Sequence, residues 1–420
     1  MAVASCGLDF GTSNTTLGAV EADGQIALAA LEGDHTTLPS AVFFNFEDGG
    51  AAVGRAALTS YVAGTEGRLM RSIKSALGTA LINEETALQR SRISFRGIIA
   101  RFLAETKQRA ERQGAVSFER VVHGRPVHFV DGNPDGDAAA EQALREIAHT
   151  IGFREISFQY EPIAAALDYE QRHVTAEEIA LVADIGGGTS DFSIVRLGPA
   201  RRERSDRGDD ILANDGVRIG GTDFDRDLSL ATVMPLLGYN SPMLRPNLMA
   251  PGRYFSDLAT WSLINFAYSP RIRAEVRQVR RESARPELID RLLTVIEHRQ
   301  GHQLAIEVER AKVTLSDRLE TTLDLAAVDP DLVATVARAE LEQATASLAQ
   351  RIAERLRRCL HQAGLAPGDI DAVFLTGGST LLPHVRRDLL RELPEARVVD
   401  GDKFGSVGLG LTLEARRRYG

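Results

Sequence analysis

The chain has 420 residues, of which 44% are hydrophobic and 25% charged. We expect two or three domains, because this length exceeds one ordinary hydrophobic core. A formal net charge of −9 argues against bulk affinity for nucleic acid or anionic membrane, so neither is expected as a partner. Cys6 and Cys359 form no metal-binding pattern, and neither a basic leader nor a bilayer-length apolar run is present. These features predict a cytoplasmic protein.

The first half of the chain is predicted to alternate between strands and helices. Short apolar runs broken by Gly, Asp and Pro indicate strands, and apolar residues at helical spacing indicate helices. The predicted strands are 2–8, 15–20, 26–31, 40–46, 120–123, 127–130 and 155–160, and the predicted helices are 97–113 and 138–150, with another opening at Glu161-Pro162.

The second half repeats this plan. Strands are predicted at 179–184, 191–197 and 321–325 and from residue 372, and helices at 304–317, at 331–362 and from about Pro383. The charged segment 201–210 is interpreted as a solvated hairpin loop. The aromatic residues within 235–300 are expected to form the core of an inserted subdomain. The alternation in both halves predicts an α/β protein with two similar lobes and a cleft between them.

Two similar Asp/Gly turns lie about half a chain apart, at residues 8–14 (Leu-Asp-Phe-Gly-Thr-Ser-Asn) and 183–191 (Ala-Asp-Ile-Gly-Gly-Gly-Thr-Ser-Asp). Glycines let backbone N–H groups approach phosphate oxygens, and the preceding Asp9 and Asp184 could hold a hydrated cation. One such turn is usually only a hairpin, but the repeat predicts a phosphate clamp. A third Gly pair, Gly377-Gly378, follows a predicted strand and is either a plain turn or a point of close approach to a ligand.

With these motifs the sequence resembles the actin-like ATPase superfamily, and within it the nucleotide-binding domain of DnaK-type heat-shock chaperones. The resemblance covers most of the chain. The layout of the chain is similar to that of the short YegD-like bacterial members, which lack the peptide-binding domain. Five segments carry it in the family's order, namely the two turns, residues 160–166 (Tyr-Glu-Pro-Ile-Ala-Ala-Ala), residues 309–316 (Glu-Arg-Ala-Lys-Val-Thr-Leu-Ser) and residues 377–380 (Gly-Gly-Ser-Thr). Residues 71–78, which include Lys74, resemble the segment whose lysine reaches the γ-phosphate.

The resemblance implies an actin-like fold of two lobes, each built on a duplicated mixed β-sheet with flanking helices around a nucleotide cleft. Lobe I would span 1–178 and lobe II 179–420, with an inserted subdomain at about 225–320 and a C-terminal helix that returns to lobe I. The implied ligands are ATP or ADP and Mg²⁺, and the implied further partners are a protein client or an exchange-type partner.

The resemblance implies a set of site residues in each of the matching motifs. The catalytic set implied by the resemblance is Lys74, Asp9, Glu161, Asp184 and Thr189, of which Asp9, Asp184 and Glu161 would hold Mg²⁺ through waters. The nucleotide-binding set is Gly11, Thr12, Ser13, Asn14, Gly186, Gly187, Gly188, Thr189, Gly220, Gly221, Glu309, Lys312, Ser316, Gly377, Gly378 and Ser379. Plainer roles remain open for some of them: turn capping by the two Asp residues, a helix-start carboxylate at Glu161, and surface charges at Glu309 and Lys312.

The sequence departs from the family pattern at several positions. Pro126 lies where the family has a switch proline, but Glu141 falls about where the family has the partner arginine. Val313 and Leu381 stand where the family commonly has arginines that sandwich the adenine. Adenine specificity is therefore less well supported than phosphate binding.

Three functions follow as hypotheses. The first is an ATP-binding protein related to chaperones, which hydrolyses ATP slowly with Mg²⁺ as its lobes close. The second is a nucleotide-gated interaction module with negligible turnover. The third is a small-molecule kinase that uses the same clamp. No convincing catalytic-base aspartate is evident in the kinase-like position, and Asp223 and Asp225 stay open as candidates.

Overall fold

The computed structural model describes residues 2–20, 24–89, 91–130, 132–201, 204, 207–399 and 405–420. They form two compact units. Unit 1 comprises Met1–Arg218, Ile352–Thr380 and Leu389–Gly420, and unit 2 comprises Ile219–Arg351 and Leu381–Asp388. The predicted division into lobes between residues 178 and 179 stays a prediction.

The strands in chain order are β1 Ala2–Phe10, β2 Asn14–Val20, β3 Ile26–Leu28, β4 Leu38–Pro39, β5 Ala41–Asn45, β6 Ala51–Val53, β7 Gly67–Arg71, β8 Glu85–Leu88, β9 Ser91–Ser94, β10 Val116–Arg125, β11 Glu155–Tyr160, β12 Glu178–Ile185, β13 Ser190–Leu197, β14 Ile211–Val217, β15 Glu320–Asp324, β16 Val333–Ala337, β17 Ala372–Thr376 and β18 Arg397–Val399.

The helices are α1 Arg55–Val62, α2 Phe95–Gly114, α3 Pro134–Thr150, α4 Glu161–His173, α5 Gly221–Thr232, α6 Arg253–Ala259, α7 Ile264–Ala267, α8 Pro270–Glu282, α9 Pro286–Glu297, α10 Gly301–Asp317, α11 Arg338–Ala363, α12 Pro383–Glu392 and α13 Ser406–Tyr419. Their ends follow local chemistry. For example, Asn133 accepts a hydrogen bond from Gly136 N before Pro134 opens α3, and Gly364 follows α11 with φ of 68°.

Unit 1 is built on two mixed sheets that share one strand order. The first runs β3-β2-β1-β10-β11, with β4 also paired to β2, and the second runs β14-β13-β12-β17-β18. In each sheet an antiparallel hairpin, β1–β2 or β12–β13, adjoins two parallel strands. The predicted α/β class with a duplicated mixed sheet is confirmed. The turns after β1, β12 and β17 all leave the carboxyl ends of these strands, where open α/β sheets bind ligands.

Two apolar clusters form the core of unit 1. One packs β1 and β10 against α2 and α3 and includes Phe10, Phe102 and Leu144. The other packs β10 and the second sheet against α4 and α13 and includes Val182 and Leu411.

Helix α13 packs closely against strand β1 and helix α4 in unit 1. A Cβ at Gly7 would lie 2.2 Å from Thr412 N, and one at Gly410 would lie 1.8 Å from Ala164 O. Side chains at either glycine would push the helix from β1 or from α4.

Unit 2 has its own interior, to which Phe224, Phe255 and Trp261 contribute, whereas Phe266 is 67% exposed. The expected aromatic core of the 235–300 segment is thus confirmed for two of its aromatic residues and wrong for Phe266. None of the helices among the described residues combines the length and apolar character needed to cross a bilayer.

The structure corrects three local predictions. Residues 127–130 form no strand. The helix predicted at 331–362 begins only at Arg338, because Val333–Ala337 pairs with β15. The segment 201–210 is not simply a solvated loop: Arg207 is only 7% exposed and Asp210 is fully buried, while residues 202, 203, 205 and 206 lie outside the described part of the chain.

Candidate active site

The two Asp/Gly turns adopt the same backbone hydrogen bond. Gly11 N donates to Asn14 O at 3.0 Å in the β1–β2 turn, and Gly186 N donates to Thr189 O at 2.9 Å in the β12–β13 turn. A Cβ at Gly11 would lie 2.3 Å from Asn14 O, so a side chain there would break the first turn. The repeat seen in the sequence is therefore a repeat in geometry.

These two turns face and contact each other. A Cβ at Gly187 would lie 1.8 Å from Ser13 Oγ, and one at Gly188 would lie 3.1 Å from Thr12 Cγ2. Gly187, and less strictly Gly188, are required by this close approach, in addition to any ligand that they admit. Backbone and hydroxyl groups of both turns are thereby brought to one place.

The Gly377-Gly378 turn joins the same site. Gly377 has φ of 80°, and a Cβ there would lie 2.3 Å from Ile185 O. Ser379 Oγ donates to Gly186 O at 3.1 Å. Thr376 Oγ1 donates to Asp184 Oδ1 at 3.0 Å, which fixes the carboxylate at the end of β12. This third element therefore supports the second turn as well as bordering the site.

The three turns border a cavity with about 650 Å³ of free space, part of it open to solvent. It is lined by Asp9, Gly11, Thr12, Ser13, Asn14, Lys74, Glu161, Asp184, Gly186, Gly187, Thr189, Thr376, Gly377, Gly378, Ser406 and Val407. All five residues of the predicted catalytic set are among them. Gly188 and Ser379 lie just behind this lining, in contact with Thr12 and Gly186 respectively.

Lys74 and Glu161 form an ion pair within the cavity, with Nζ 2.8 Å from Oε1. Lys74 comes from the short 3-10 helix Ile73–Ala76, and Glu161 is the first residue of α4. Burial, the largest single influence, disfavours the charged ammonium, but Glu161 and Asp9 outweigh it and raise the pKa of Lys74. Lys74 is therefore a fixed positive charge in this site.

The acidic groups are crowded. Burial, with added repulsion from Glu161, raises the pKa of Asp9 well above its ordinary value. The same two causes raise the pKa of Asp184 to about 6. Asp191, on β13, is also buried, and burial together with the charge of Asp184 raises its pKa to about 8. If all of these carboxyl groups were ionised, they would place more negative charge here than Lys74 can balance.

This charge excess fits a divalent cation. Among the described residues, no three Asp, Glu, His or Cys side chains converge closely enough to bind a metal directly. Carboxylates that surround a space without closing on it suit Mg²⁺, which keeps several of its waters in protein sites. Asp9, Glu161 and Asp184 are the residues that would hold it, and this role stays a prediction.

The remaining predicted nucleotide-binding residues lie in unit 2. Lys312 Nζ donates to Gly221 O at 3.0 Å and lies 2.8 Å from Asp225 Oδ1, so this buried lysine ties α10 to α5. Ser316 Oγ donates to Lys312 O at 3.4 Å. Glu309 lies about one helical turn before Lys312 on α10, and Gly220 precedes α5. Their predicted contact with ribose or base stays a prediction.

Two residues near the site escaped the sequence reasoning. Asp191 belongs to the second Asp/Gly motif and hydrogen-bonds to Thr189, so its place in the motif was the available signal. Arg125, at the end of β10, has its guanidinium 5.0 Å from the ring centre of Tyr160, the residue before Glu161. It also donates to Glu141 and to the carbonyl of Val127. Arg125 thus braces the start of α4, which no local sequence pattern indicates.

Comparison with known proteins decides the family. A family model described as Hsp70 protein matches residues 5–233 and 289–404, which is most of the chain. The chain belongs to the Hsp70 family. It is also 28% identical to a chaperone protein HscA homolog from Bordetella petrii, over 97% of this chain and 57% of that relative. The chain therefore spans little more than half the length of this Hsp70 relative.

Membership of the Hsp70 family confirms the predicted DnaK-type resemblance and, with the duplicated sheets, the actin-like ATPase fold. Hsp70 proteins are in general ATP-binding chaperones and ATPases. The predicted residues in the three turns, together with Lys74 and Glu161, all fall within the matched segments. Residues 234–288 fall outside them, so that part of unit 2 is not described by the Hsp70 pattern.

Proposed function

We propose that this chain binds ATP with Mg²⁺ and hydrolyses it slowly to ADP and phosphate. The observation that carries the proposal is the buried Lys74–Glu161 ion pair in a cavity bordered by three glycine turns. A nucleotide triphosphate brings negative charge and needs backbone donors, a cation and a positioned water. The cavity offers residues suited to each of these tasks.

The turns would bind the phosphates. The backbone N–H groups of Gly187 and Gly188 and the hydroxyls of Thr12, Ser13 and Thr189 would be the donors to the phosphate oxygens. Mg²⁺, when bound through waters by the carboxylates, would neutralise charge on the β- and γ-phosphates. Its positive charge would also favour the ionised forms of Asp9 and Asp184, whose pKa values are raised by burial and by Glu161.

Lys74 would stabilise the charge that develops on the transferred phosphoryl group and orient the attacking water. Glu161 would hold the ammonium in place through the 2.8 Å contact, and Arg125 would in turn hold the start of α4. The water oxygen would bond to the γ-phosphorus as the bond to the bridging oxygen breaks and ADP leaves, and both protons of the water would end on the released phosphate.

We further propose that nucleotide state is coupled to lobe closure and that the protein acts in a chaperone-related role, with a protein client or exchange-type partner. Family membership supports this role in general terms. Lys312, which links α10 to α5 in unit 2, would take part in nucleotide binding.

The test is single-turnover release of phosphate from γ-labelled ATP, with protein in excess, in Mg²⁺ and in EDTA. Lys74→Ala and Asp184→Asn should abolish release and retain nucleotide binding. Lys107→Ala is the matched control, because Lys107 also forms a part-buried pair, 2.7 Å from Glu111, but lies outside the cavity. Tight binding by the wild type without release would instead support the nucleotide-gated module, and phosphate transfer to an added alcohol would support the kinase.

A further inference from the structure

A hairpin in unit 2 presents apolar side chains to solvent. Within residues 242–249, hereafter the 242–249 hairpin, Leu244 is 67% exposed, Leu248 48% and Met249 59%. Single exposed apolar residues are ordinary, but several within six residues form a patch of the kind that marks interaction sites.

The hairpin is held in one conformation by backbone hydrogen bonds. Met243 N donates to Leu248 O at 2.9 Å, and Ala250 N donates to Ser241 O at 2.9 Å. Leu244 N donates to Glu282 O at 2.7 Å, which fastens the hairpin to the end of α8. Its apolar side chains are therefore presented on a pre-formed scaffold, so a partner would bind without ordering a loop.

The fold of unit 2 does not need these side chains in its core. Tyr254, Phe255 and Leu258 of the neighbouring α6 are buried and fill the interior there. The hairpin also lies within residues 234–288, the stretch outside the Hsp70 pattern. Neither packing nor the shared family fold accounts for its exposed leucines and methionine.

The charge of this segment indicates the chemistry of a partner. Residues 234–288 contain eight arginines and four carboxylates, whereas the whole chain has a net charge of −9. Arg277 and Arg280 of α8 are paired with Glu297 and Asp290. Arg245, exposed at the hairpin tip, has no ion pair among the described residues. An apolar patch with an unneutralised arginine at its centre is complementary to an acidic and apolar surface.

We propose that the 242–249 hairpin is a docking site for an acidic segment of another protein that carries apolar side chains. Leu244, Leu248 and Met249 would contact the apolar side chains, and Arg245 would contact a carboxylate. An anionic membrane is the less suitable partner, because the remainder of this acidic chain would be repelled from it. The proposal does not depend on the proposed ATPase activity.

The experiment is selection of a random dodecapeptide phage library on the full-length protein, followed by fluorescence anisotropy of the selected peptides. The test variants are Leu244→Ser/Leu248→Ser and Arg245→Glu. The control is Leu319→Ser, since Leu319 is 75% exposed in unit 2 but lies outside the hairpin. All of these side chains are exposed, so thermal unfolding should be unchanged in each variant.

We expect selected peptides rich in Asp or Glu and in apolar residues. Their affinity should fall about tenfold or more in both test variants and remain unchanged in the control. Basic peptides, or none that the hairpin variants weaken, would overturn the proposal. Hairpin-dependent sedimentation with phosphatidylserine vesicles would overturn it in favour of a membrane, and hairpin-dependent self-association in sedimentation velocity would overturn it in favour of a second copy.

Discussion

Lys74 Nζ lies 2.8 Å from Glu161 Oε1, and each side chain is only 10% exposed. The contact joins residues 87 positions apart, one in a short 3-10 helix and one at the start of α4. It places one positive charge among the several carboxyl groups of the cavity. Removal of one partner should therefore lower the free energy of unfolding more than removal of both.

We expect Lys74→Met to destabilise the nucleotide-free protein by about 3 kcal/mol, because it leaves Glu161 buried and unpaired beside Asp9. The double variant Lys74→Met/Glu161→Gln should recover part of that loss. Urea unfolding in EDTA measures both free energies, and a double-mutant cycle gives their coupling. Simple additivity of the two single variants would show that the pair contributes no coupling.

The buried His123 should make the stability of the folded protein sensitive to acid. It is 1% exposed on β10, its Nδ1 donates to Gly124 O at 2.7 Å, and its Nε2 has no partner among the described residues. Burial, the main cause, lowers its pKa from 6.5 to about 4. Between these values the unfolded chain binds the proton and the folded protein does not, so stability contributed by neutral His123 is present above pH 6.5 and is lost as pH falls towards 4.

The measurement is the free energy of unfolding from pH 7.5 to pH 4 for wild type and His123→Asn, in which Asn can keep the donor to Gly124 O. The wild type should lose on the order of 3 kcal/mol more than the variant over this range. The difference between the two proteins removes the contribution of the carboxyl groups, whose raised pKa values make the folded protein more stable as the pH falls. Parallel curves would mean that folding does not lower the pKa of His123.

The sequence predicted those parts of the fold and site that depend on local pattern. The two turns were predictable because glycines directly after a strand that ends in Asp indicate a tight turn. The repetition of this pattern indicated the duplicated sheet. Helix α3 began before its predicted start, where Asn133 and Pro134 supply a cap that weighs more than apolar spacing.

Long-range contacts explain what could not be predicted. The helix predicted at 331–362 took in Val333–Ala337, although its β-branched valines and threonine favour the strand that pairs with β15. Arg207 and Asp210 lie in a charged run that is typical of solvent, and only the fold brings Glu170 to them. For the same reason no motif pointed to Arg125, whose contact with Tyr160 depends on the pairing of β10 with β11.

The Arg207–Glu170 pair predicts a structural role for the charged 201–210 segment. Arg207 donates to both carboxylate oxygens of Glu170 at 2.7 and 2.9 Å, and Gly198 N donates to the same carboxylate. Glu170 is 1% exposed. Glu170→Gln should therefore cost about 3 kcal/mol in chemical unfolding, because it leaves Arg207 buried and only partly paired.

Glu85→Gln is the control for this prediction, since the Arg92–Glu85 pair is more than half exposed on both sides. Its loss should cost less than about 1 kcal/mol. Equal losses for the two variants would contradict a special role for the buried pair.

Gly187 tests whether close packing of the two turns is needed for ligand binding. Gly187→Ala would place a Cβ 1.8 Å from Ser13 Oγ and force the turns apart, whereas in Gly186→Ala the nearest atom is Thr189 O at 3.8 Å. We expect Gly187→Ala to weaken Mg-ATP binding at least tenfold in isothermal titration calorimetry, because the phosphate donors of the two turns would no longer converge. Gly186→Ala should bind much as the wild type does. Adding Ser13→Gly to Gly187→Ala removes the clashing hydroxyl and should restore part of the affinity. Without such rescue, the loss would have to come from the phosphate contacts of residue 187 itself and not from the separation of the turns.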